Sequence, residues 1–272
     1  MPDLSHVLQA PTNDKGFVVR DAKFYTDGYK SGAFTPLDIA KRILAVLDEK
    51  NDELNAFCDY RREYVLAAAQ ASTERWKTGK QLSVVDGVPT AVKDQLAVVG
   101  HTRKNGLDLS EEHSIKDFDT VLVQRVKAAG LVIIGISHMT QMGMAVFGNN
   151  PSTSHNTCKN PMNPNYYPGA SSSGTAAAIC SGLVPFGIGT DGGGSIRMPS
   201  SQCGIVGLKP TFGRCPSHGS VKGACQGTVS HVGPMAVTSN DLAILYQIMG
   251  GPHQDDPYSA LQPKGKFELN LK

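Results

Sequence analysis

The sequence has no long apolar run and no strong excess of charge. A membrane-spanning helix needs about 20 consecutive apolar residues, and no segment of this 272-residue chain approaches that length. The N-terminal segment MPDLSHVLQAPTNDKG lacks the basic and apolar regions of a secretory signal. The net charge of +2 is too small to indicate direct binding to nucleic acid or to an anionic membrane. These absences, with 40% hydrophobic and 18% charged residues, predict an ordinary globular protein of the cytoplasm.

The cysteines form neither a CxxC pair nor a dense framework. They are Cys58, Cys158, Cys180, Cys203, Cys215 and Cys225. Because they are so widely scattered, we expect reduced thiols and not a set of disulfides. No HExxH or paired Cys/His spacing is present either, so no metal and no other cofactor is predicted.

Acidic residues are scarce in the middle of the chain. Nineteen of the 24 Asp and Glu residues lie in residues 1–119, and Asp191 is the only one between Thr120 and Asn240. This stretch therefore lacks the carboxylate pair that glycoside hydrolysis needs. A histidine base would also need a partner acid, and here only Asp191 could supply it.

Helical and strand patterns alternate along the chain and predict an α/β fold. Thr35 and Asp38 form a near capping box ahead of a helix whose apolar face includes Leu44 and Leu47. Further helices are predicted at Tyr64–Lys77, 119–130, Ser173–Ser181 and Thr238–Met249. Buried strands are predicted at Gly87–Lys93, Leu131–Ile134 and Leu183–Gly189, and a long loop at 148–170.

A GxGxxG pattern at Gly187–Gly192 follows one of these strands. A dinucleotide-binding fingerprint also requires an acid about 20 residues later for the ribose hydroxyls. The next acid after Asp191 is Asp241, so that partner is missing. The pattern therefore does not predict a nucleotide cofactor.

Three other segments contain groups suited to acyl transfer. In the turn Asp191–Arg197, three glycines precede Ser195, and their N–H groups could form an anion-binding nest; alternatively, it is a flexible surface loop. The serine cluster in Gly169–Gly174 could hold a catalytic hydroxyl or merely cap a helix. Lys93, at the end of an apolar strand, could act as a base or extend its ammonium group to solvent.

Taken together, the three segments favour a serine–lysine mechanism. A serine nucleophile needs a proton acceptor. A lysine that is desolvated and far from anions can be neutral near pH 7 and can fill that role. The scarcity of acids in this part of the chain favours such a neutral lysine.

At these residues the sequence resembles the amidase signature family. DGVPTAVKD (86–94) is similar to the family's lysine motif, and residues 168–213, which begin PGASSSGTAAAICSG, are similar to its serine- and glycine-rich signature. The resemblance implies a central, mixed, mostly parallel twisted sheet flanked by helices. It also implies an N-terminal extension at 1–20, with 21–272 forming the N-terminal portion of a single amidase domain. The C-terminal half of the family fold is expected to be missing.

The resemblance also implies a role for each site residue. Ser195 matches the nucleophile, Lys93 the base, and Ser171 the relay serine that a cis peptide holds in the family. Gly192, Gly193, Gly194 and Ser195 match the positions whose N–H groups form the oxyanion hole, and Met139 is assigned with the glycines to substrate binding. Asp191 and Arg197 are expected to brace the turn by charge and hydrogen bonds.

The function that the resemblance implies is hydrolysis of the C–N bond of a linear carboxylic amide. The wording of DGVPTAVKDQ and GLKPTFGR is most similar to eukaryotic fatty acid amide hydrolases. Two alternatives stay open: the glutamine-hydrolysing subunit of a glutamyl-tRNA amidotransferase, and a truncated, inactive remnant or binding module. The expected partner is a small-molecule amide with no direct contact to nucleic acid, and a homodimer is left open.

Overall fold

The structure is a computed structural model that describes residues 20–145, 150, 157–217, 228–254 and 256–259. Its helices are α1 (Ala22–Ser31), α2 (Pro36–Leu54), α3 (Arg62–Thr78), α4 (Glu111–Ser114), α5 (Val121–Ala128), α6 (Ser173–Cys180), α7 (Arg197–Gln202) and α8 (Ser239–Met249). Its strands are β1 (Phe57–Asp59), β2 (Pro89–Lys93), β3 (Val132–Ser137), β4 (Phe186–Asp191), β5 (Val206–Gly207) and β6 (His231–Ala236). Of the predicted extension at 1–20, only Arg20 is described, and the domain boundary stays a prediction.

The strands form one mixed sheet in the order β1-β3-β2-β4-β6-β5. Strand β2 pairs in parallel with both β3 and β4. The outer pairings, β1 with β3, β4 with β6, and β5 with β6, are antiparallel. The predicted α/β fold with a mixed sheet flanked by helices is therefore confirmed, while the expectation of a mostly parallel sheet holds only for its three central strands.

The central strands are buried along their whole length, as the apolar runs predicted. Every residue of β2, β3 and β4 is buried. The helix α5 leads from β2 to β3, which forms the predicted parallel αβ unit. Because β2 and β4 are parallel neighbours, their carboxyl ends lie at the same edge of the sheet, where α/β proteins commonly place their active sites.

Helix α6 lies directly against the sheet because small residues allow a close approach. A Cβ atom added at Gly187 would lie 2.7 Å from Thr175 Cγ2, and one added at Gly174 would lie 2.2 Å from the carbonyl oxygen of Ala56. Side chains at these two positions would push the helix away from the strands. Part of the GxGxxG pattern therefore serves packing, which agrees with the missing ribose partner.

Helix α2 begins as the sequence predicted. Thr35 and Asp38 form a complete capping box, in which each side chain accepts a hydrogen bond from the other residue's backbone N–H. Its buried face includes Leu44 and Leu47 and packs into the main core. Within the described parts of the chain, no helix combines the length and apolarity needed to cross a membrane.

Candidate active site

The site lies at the carboxyl ends of β2 and β4. Lys93 is the last residue of β2 and is fully buried. Its Nζ lies 2.7 Å from Ser171 Oγ and 2.7 Å from Thr190 Oγ1. Lysine is rarely buried without partners, and here the hydroxyls of Ser171 and Thr190 meet its amine. Of the two roles that the sequence left open for Lys93, extension to solvent is excluded.

Ser171 is positioned by the backbone that leads into α6. The Ala170–Ser171 peptide bond is cis, as the family resemblance implied. The Ser171 side chain is buried, and the residues that follow it begin the helix that packs on the sheet. The amide of Ser172 donates to the carbonyl oxygen of Ser195 at 3.2 Å, which joins the two serine segments through the backbone.

The turn that carries Ser195 is organised by Asp191. One carboxylate oxygen of Asp191 accepts the N–H of Gly194 at 2.9 Å, and the other accepts the N–H of Ile196 at 3.1 Å. Arg197 donates to both oxygens through Nη2 at 2.8 Å and Nε at 3.0 Å. The structural role expected for Asp191 and Arg197 is confirmed, because hydrogen bonds to Asp191 hold both the backbone of the turn and the Arg197 side chain.

Ser171 and Ser195 face the same cavity, which has a volume of about 280 Å³. No hydrogen bond joins the hydroxyls of these two described residues. The other described residues that line the cavity are Gln95, Met142, Gly143, Met144, Thr190, Gly192, Gly193, Val229 and Ser230. The structure thus brings Ser171 and Ser195 to one cavity and places the buried Lys93 against Ser171, although the three residues lie far apart in the sequence.

Two of the predicted substrate-binding residues require correction. The N–H of Gly194 is already bonded to Asp191, so it is not available to an oxyanion. The amides of Gly192, Gly193 and Ser195 donate no hydrogen bond to another described residue, and these three residues line the cavity. Met139 is buried and does not reach the described cavity wall; Met142 and Met144 do.

Sequence reasoning missed Gln95 and Thr190. Thr190 Oγ1 donates to Gln95 Oε1 at 2.5 Å and accepts from Lys93. Both residues adjoin motifs that the sequence analysis singled out, since Gln95 follows Lys93 by two positions and Thr190 precedes Asp191. That proximity in sequence was the available signal.

Burial lowers the pKa of Lys93 to about 7, although the charges of Asp191 and Asp94 act in the opposite direction. The scarcity of acids in the middle of the sequence therefore does not place Lys93 far from anions. Asp191 is neutralised by Arg197, and burial raises the pKa of Asp94 to about 7 against hydrogen bonds from the Gly106 and Lys104 amides. Near neutral pH a substantial fraction of Lys93 is uncharged and can accept a proton.

Because of Asp191, the free energy of unfolding should change with pH in the acid range. Burial alone would raise its pKa, but hydrogen bonds from Arg197 and from the Ile196 and Gly194 amides lower the pKa to about 2, below the ordinary 3.8. A lowered folded-state pKa contributes stability above the unfolded pKa and loses it as the pH falls toward 2. We expect Asp191→Asn to lower the free energy of unfolding by about 2 kcal/mol at pH 6 and by almost nothing near pH 2.

Urea unfolding of both proteins across this pH range measures that difference. Asp27→Asn is the matched control, because the Asp27 side chain is 60% exposed on α1. A deficit in Asp191→Asn that stays constant from pH 6 to pH 2 would contradict the assignment.

The donor groups of the site are hydroxyls, amides and one amine. Among the described residues, no group of three or more His, Cys, Asp or Glu side chains is arranged to hold a metal ion. The arrangement can move a proton between Lys93 and Ser171. It also presents a second serine beside backbone N–H groups that donate to no other described residue. These are the parts that acyl transfer through a serine requires.

The chain matches a family model and known sequences over most of its length. The family model described as Amidase matches residues 38–272. A fatty acid amide hydrolase of Arabidopsis thaliana is 35% identical over 239 residues, which cover 86% of this chain and 39% of the relative. A glutamyl-tRNA(Gln) amidotransferase subunit of Chloroflexus aggregans is 34% identical over 241 residues, which cover 89% of this chain and 48% of the relative.

Comparison with solved structures gives the same result for the fold. The crystal structure of a bacterial aryl acylamidase that belongs to the amidase signature enzymes superposes with a TM-score of 0.80 at 25% identity. That match covers 92% of this chain and 51% of the acylamidase. The chain thus spans about half the length of the solved enzyme, and less than half of the two sequence relatives named above.

Proposed function

This chain belongs to the Amidase family, and we propose that it hydrolyses the C–N bond of a linear carboxylic amide through a covalent intermediate on Ser195. The observation that supports this most directly is the buried contact of 2.7 Å between Lys93 Nζ and Ser171 Oγ, beside Ser195 in one cavity. A serine nucleophile needs a base, and no histidine is among the described residues that line the cavity. The buried amine in contact with a serine hydroxyl can take that role.

In the proposed mechanism, neutral Lys93 accepts the proton of Ser171, and Ser171 accepts the proton of Ser195. The Ser195 oxygen attacks the amide carbonyl and forms a tetrahedral intermediate. The N–H groups of Gly192, Gly193 and Ser195 stabilise its oxyanion, and each such donor contributes about 3 kcal/mol in comparable sites. Ser171 then protonates the departing amine and takes a proton back from Lys93. Water next attacks the acyl group on Ser195 while its proton passes through Ser171 to Lys93, and the return of that proton to the Ser195 oxygen releases the carboxylic acid.

We propose that the acyl group is apolar and long. Three large apolar side chains line the cavity and are exposed: Met142 (46%), Met144 (81%) and Val229 (63%). Exposed apolar side chains that gather at one cavity mark a surface for an apolar ligand. The relative from Arabidopsis thaliana is named a fatty acid amide hydrolase, which agrees with such a substrate.

Glutamine is the second candidate substrate, because the relative from Chloroflexus aggregans at 34% identity is a glutamyl-tRNA(Gln) amidotransferase subunit. The polar cavity residues Gln95 and Ser230 could bond to a carboxamide. Under this alternative, ammonia release from glutamine depends on partner subunits.

The cytosolic location predicted from the sequence stays a prediction, and so does the homodimer that the sequence left open.

The proposal is tested by incubating the purified chain with a fluorophosphonate, which reacts with activated serines, and locating the label by mass spectrometry. We expect the label on the peptide that contains Ser195. Hydrolysis is then compared between long-chain N-acylethanolamines and glutamine, the latter with and without the other amidotransferase subunits. Release of ethanolamine supports the first substrate class, and ammonia release that needs the other subunits supports the second. An unlabelled Ser195 in a folded chain would support the inactive remnant.

A further inference from the structure

A chain of three buried polar side chains extends from the proposed base to the cavity wall. Lys93 is fully buried, and Thr190 and Gln95 are each 5% exposed. Thr190 Oγ1 lies 2.7 Å from Lys93 Nζ and 2.5 Å from Gln95 Oε1. The proposed proton relay from Lys93 through Ser171 to Ser195 makes no use of Gln95.

The chemistry of these groups fixes the direction of each hydrogen bond. A hydroxyl has one proton to donate, and an amide oxygen can only accept. Thr190 therefore gives its proton to Gln95, and toward Lys93 it can only accept. One N–H of Lys93 must point at Thr190.

This direction matters for the neutral form of Lys93. A neutral amine has two N–H bonds and a single lone pair. When one N–H is held by Thr190, the lone pair is available to the other neighbour of Nζ, the Ser171 hydroxyl at 2.7 Å. If Thr190 were free to rotate, its own O–H could occupy the lone pair in place of Ser171.

We propose that Gln95 is a positioning residue that acts through Thr190 and reserves the lone pair of neutral Lys93 for the proton of Ser171. This inference deepens the proposed function and rests on it. Gln95 touches neither Lys93 nor Ser171 by a hydrogen bond; it sets the direction of the contact between Thr190 and Lys93.

The charges around Lys93 are the same with or without Gln95. Asp94 and Asp191 act on the Lys93 amine, Arg197 is paired with Asp191, and Lys104 acts on Asp94. Because Gln95→Met alters none of these charges, a change in the titration of Lys93 reports on hydrogen bonding.

The test is a titration that needs no catalytic activity. The chain is labelled with ¹³Cε-lysine, the Lys93 resonance is identified by its loss in Lys93→Met, and its pKa is measured by NMR. The measurement is made in the wild type, in Gln95→Met, in Thr190→Val and in the double variant. Gln70→Met, at an exposed position on α3, is the matched control. Gln95→Leu, which also lacks the acceptor, replaces Gln95→Met if the latter does not fold.

Loss of the acceptor lets Thr190 donate to the neutral amine, which stabilises the neutral form. We therefore expect Gln95→Met to lower the Lys93 pKa by about one unit, and to have no further effect when Thr190 is already valine. An unchanged pKa in Gln95→Met, or an equal shift with and without the Thr190 hydroxyl, would overturn the inference.

A kinetic measurement separates this inference from the proposed function. In an active chain assayed with a long-chain amide, for which no bond to Gln95 is proposed, Gln95→Met should lower kcat by roughly tenfold or more while KM changes by less than about twofold, because the substitution acts on proton transfer. If the wild-type chain is not labelled at Ser195, the proposed function fails, and the titration still decides the role of Gln95.

Discussion

Replacing Lys93 with methionine is expected to lower amide hydrolysis by about 10³-fold, within the range measured for the loss of a general base. Methionine has nearly the same length and is apolar, so it fills the buried site without supplying a proton acceptor. The Ser195 hydroxyl would then keep its proton when it meets the carbonyl. The decrease should appear in kcat, measured with the best amide substrate and followed by the rate of fluorophosphonate labelling.

In the wild-type chain, activity should rise with pH through about 7, because burial lowers the pKa of Lys93 to that value and only the neutral amine can act as base. Lys41→Met, at an exposed position on α2, is the matched control and should leave the profile unchanged. A Lys93→Met variant that kept the same pH profile and rate would show that another group is the base.

The same substitution should stabilise the fold. The folded pKa of Lys93, about 7, is below its ordinary value of 10.5. The unfolded chain therefore binds more protons than the folded chain between these two values, and the stability of the wild type rises with pH across this window. Lys93→Met lacks this dependence and should unfold at a higher urea concentration at pH 7. Burying the amine thus lowers stability while it provides the base.

The parts of the fold that follow from local pattern could be predicted from the sequence. The capping box of Thr35 and Asp38 requires only neighbouring residues, and it was correct. The apolar runs also located β2, β3 and β4, but the predicted bounds were inexact, since β3 continues to Ser137 and β4 to Asp191. Strand β6 was missed because its sequence, HVGPMA, contains a glycine and a proline and has no regular alternation. It forms because it pairs along β4, and this pairing cannot be predicted from the residues of β6 alone.

In the site, too, motifs predicted some features, and others depend on contacts that form only in the folded chain. The motifs could indicate that a lysine and two serines act together. They could not show which amides of the glycine turn are free, because that depends on the bonds that Asp191 makes within the folded turn. Nor could they show that Met142 lines the cavity while Met139 is buried, which follows from a 3₁₀ turn in which Met142 has a φ of 49°.

The contact between Thr190 and Gln95 is a further feature of the site that sequence motifs could not predict. These residues are separated by 95 positions, and they meet because β2 and β4 are parallel neighbours whose carboxyl ends coincide. Sequence patterns indicate that these two segments are strands but not that the strands pair. The polar partners of a buried base are therefore found from sheet order and not from motif.

The two serines should respond differently to replacement by alanine, because the proposal gives them different roles. Ser195→Ala removes the atom that forms the covalent bond, so fluorophosphonate labelling should disappear and hydrolysis should decrease by about 10⁴-fold or more. Ser171→Ala removes a proton carrier but leaves the nucleophile, so labelling should become slower by about 10²- to 10⁴-fold without disappearing.

The measurement is the rate and position of labelling in each variant, with kcat for the best amide substrate. Ser201→Ala is the matched control, because Ser201 is an exposed serine on α7, the helix that follows the Ser195 turn. Labelling of Ser171 in Ser195→Ala would contradict the assignment, because it would indicate that Ser171 is the nucleophile and Ser195 the proton carrier. If both single variants were labelled as fast as the wild type, the reactive serine would be a different residue. The predicted asymmetry follows from the contacts. Ser171 is the serine that touches the amine of Lys93, whereas Ser195 lies beside the N–H groups of Gly192 and Gly193, which donate to no other described residue.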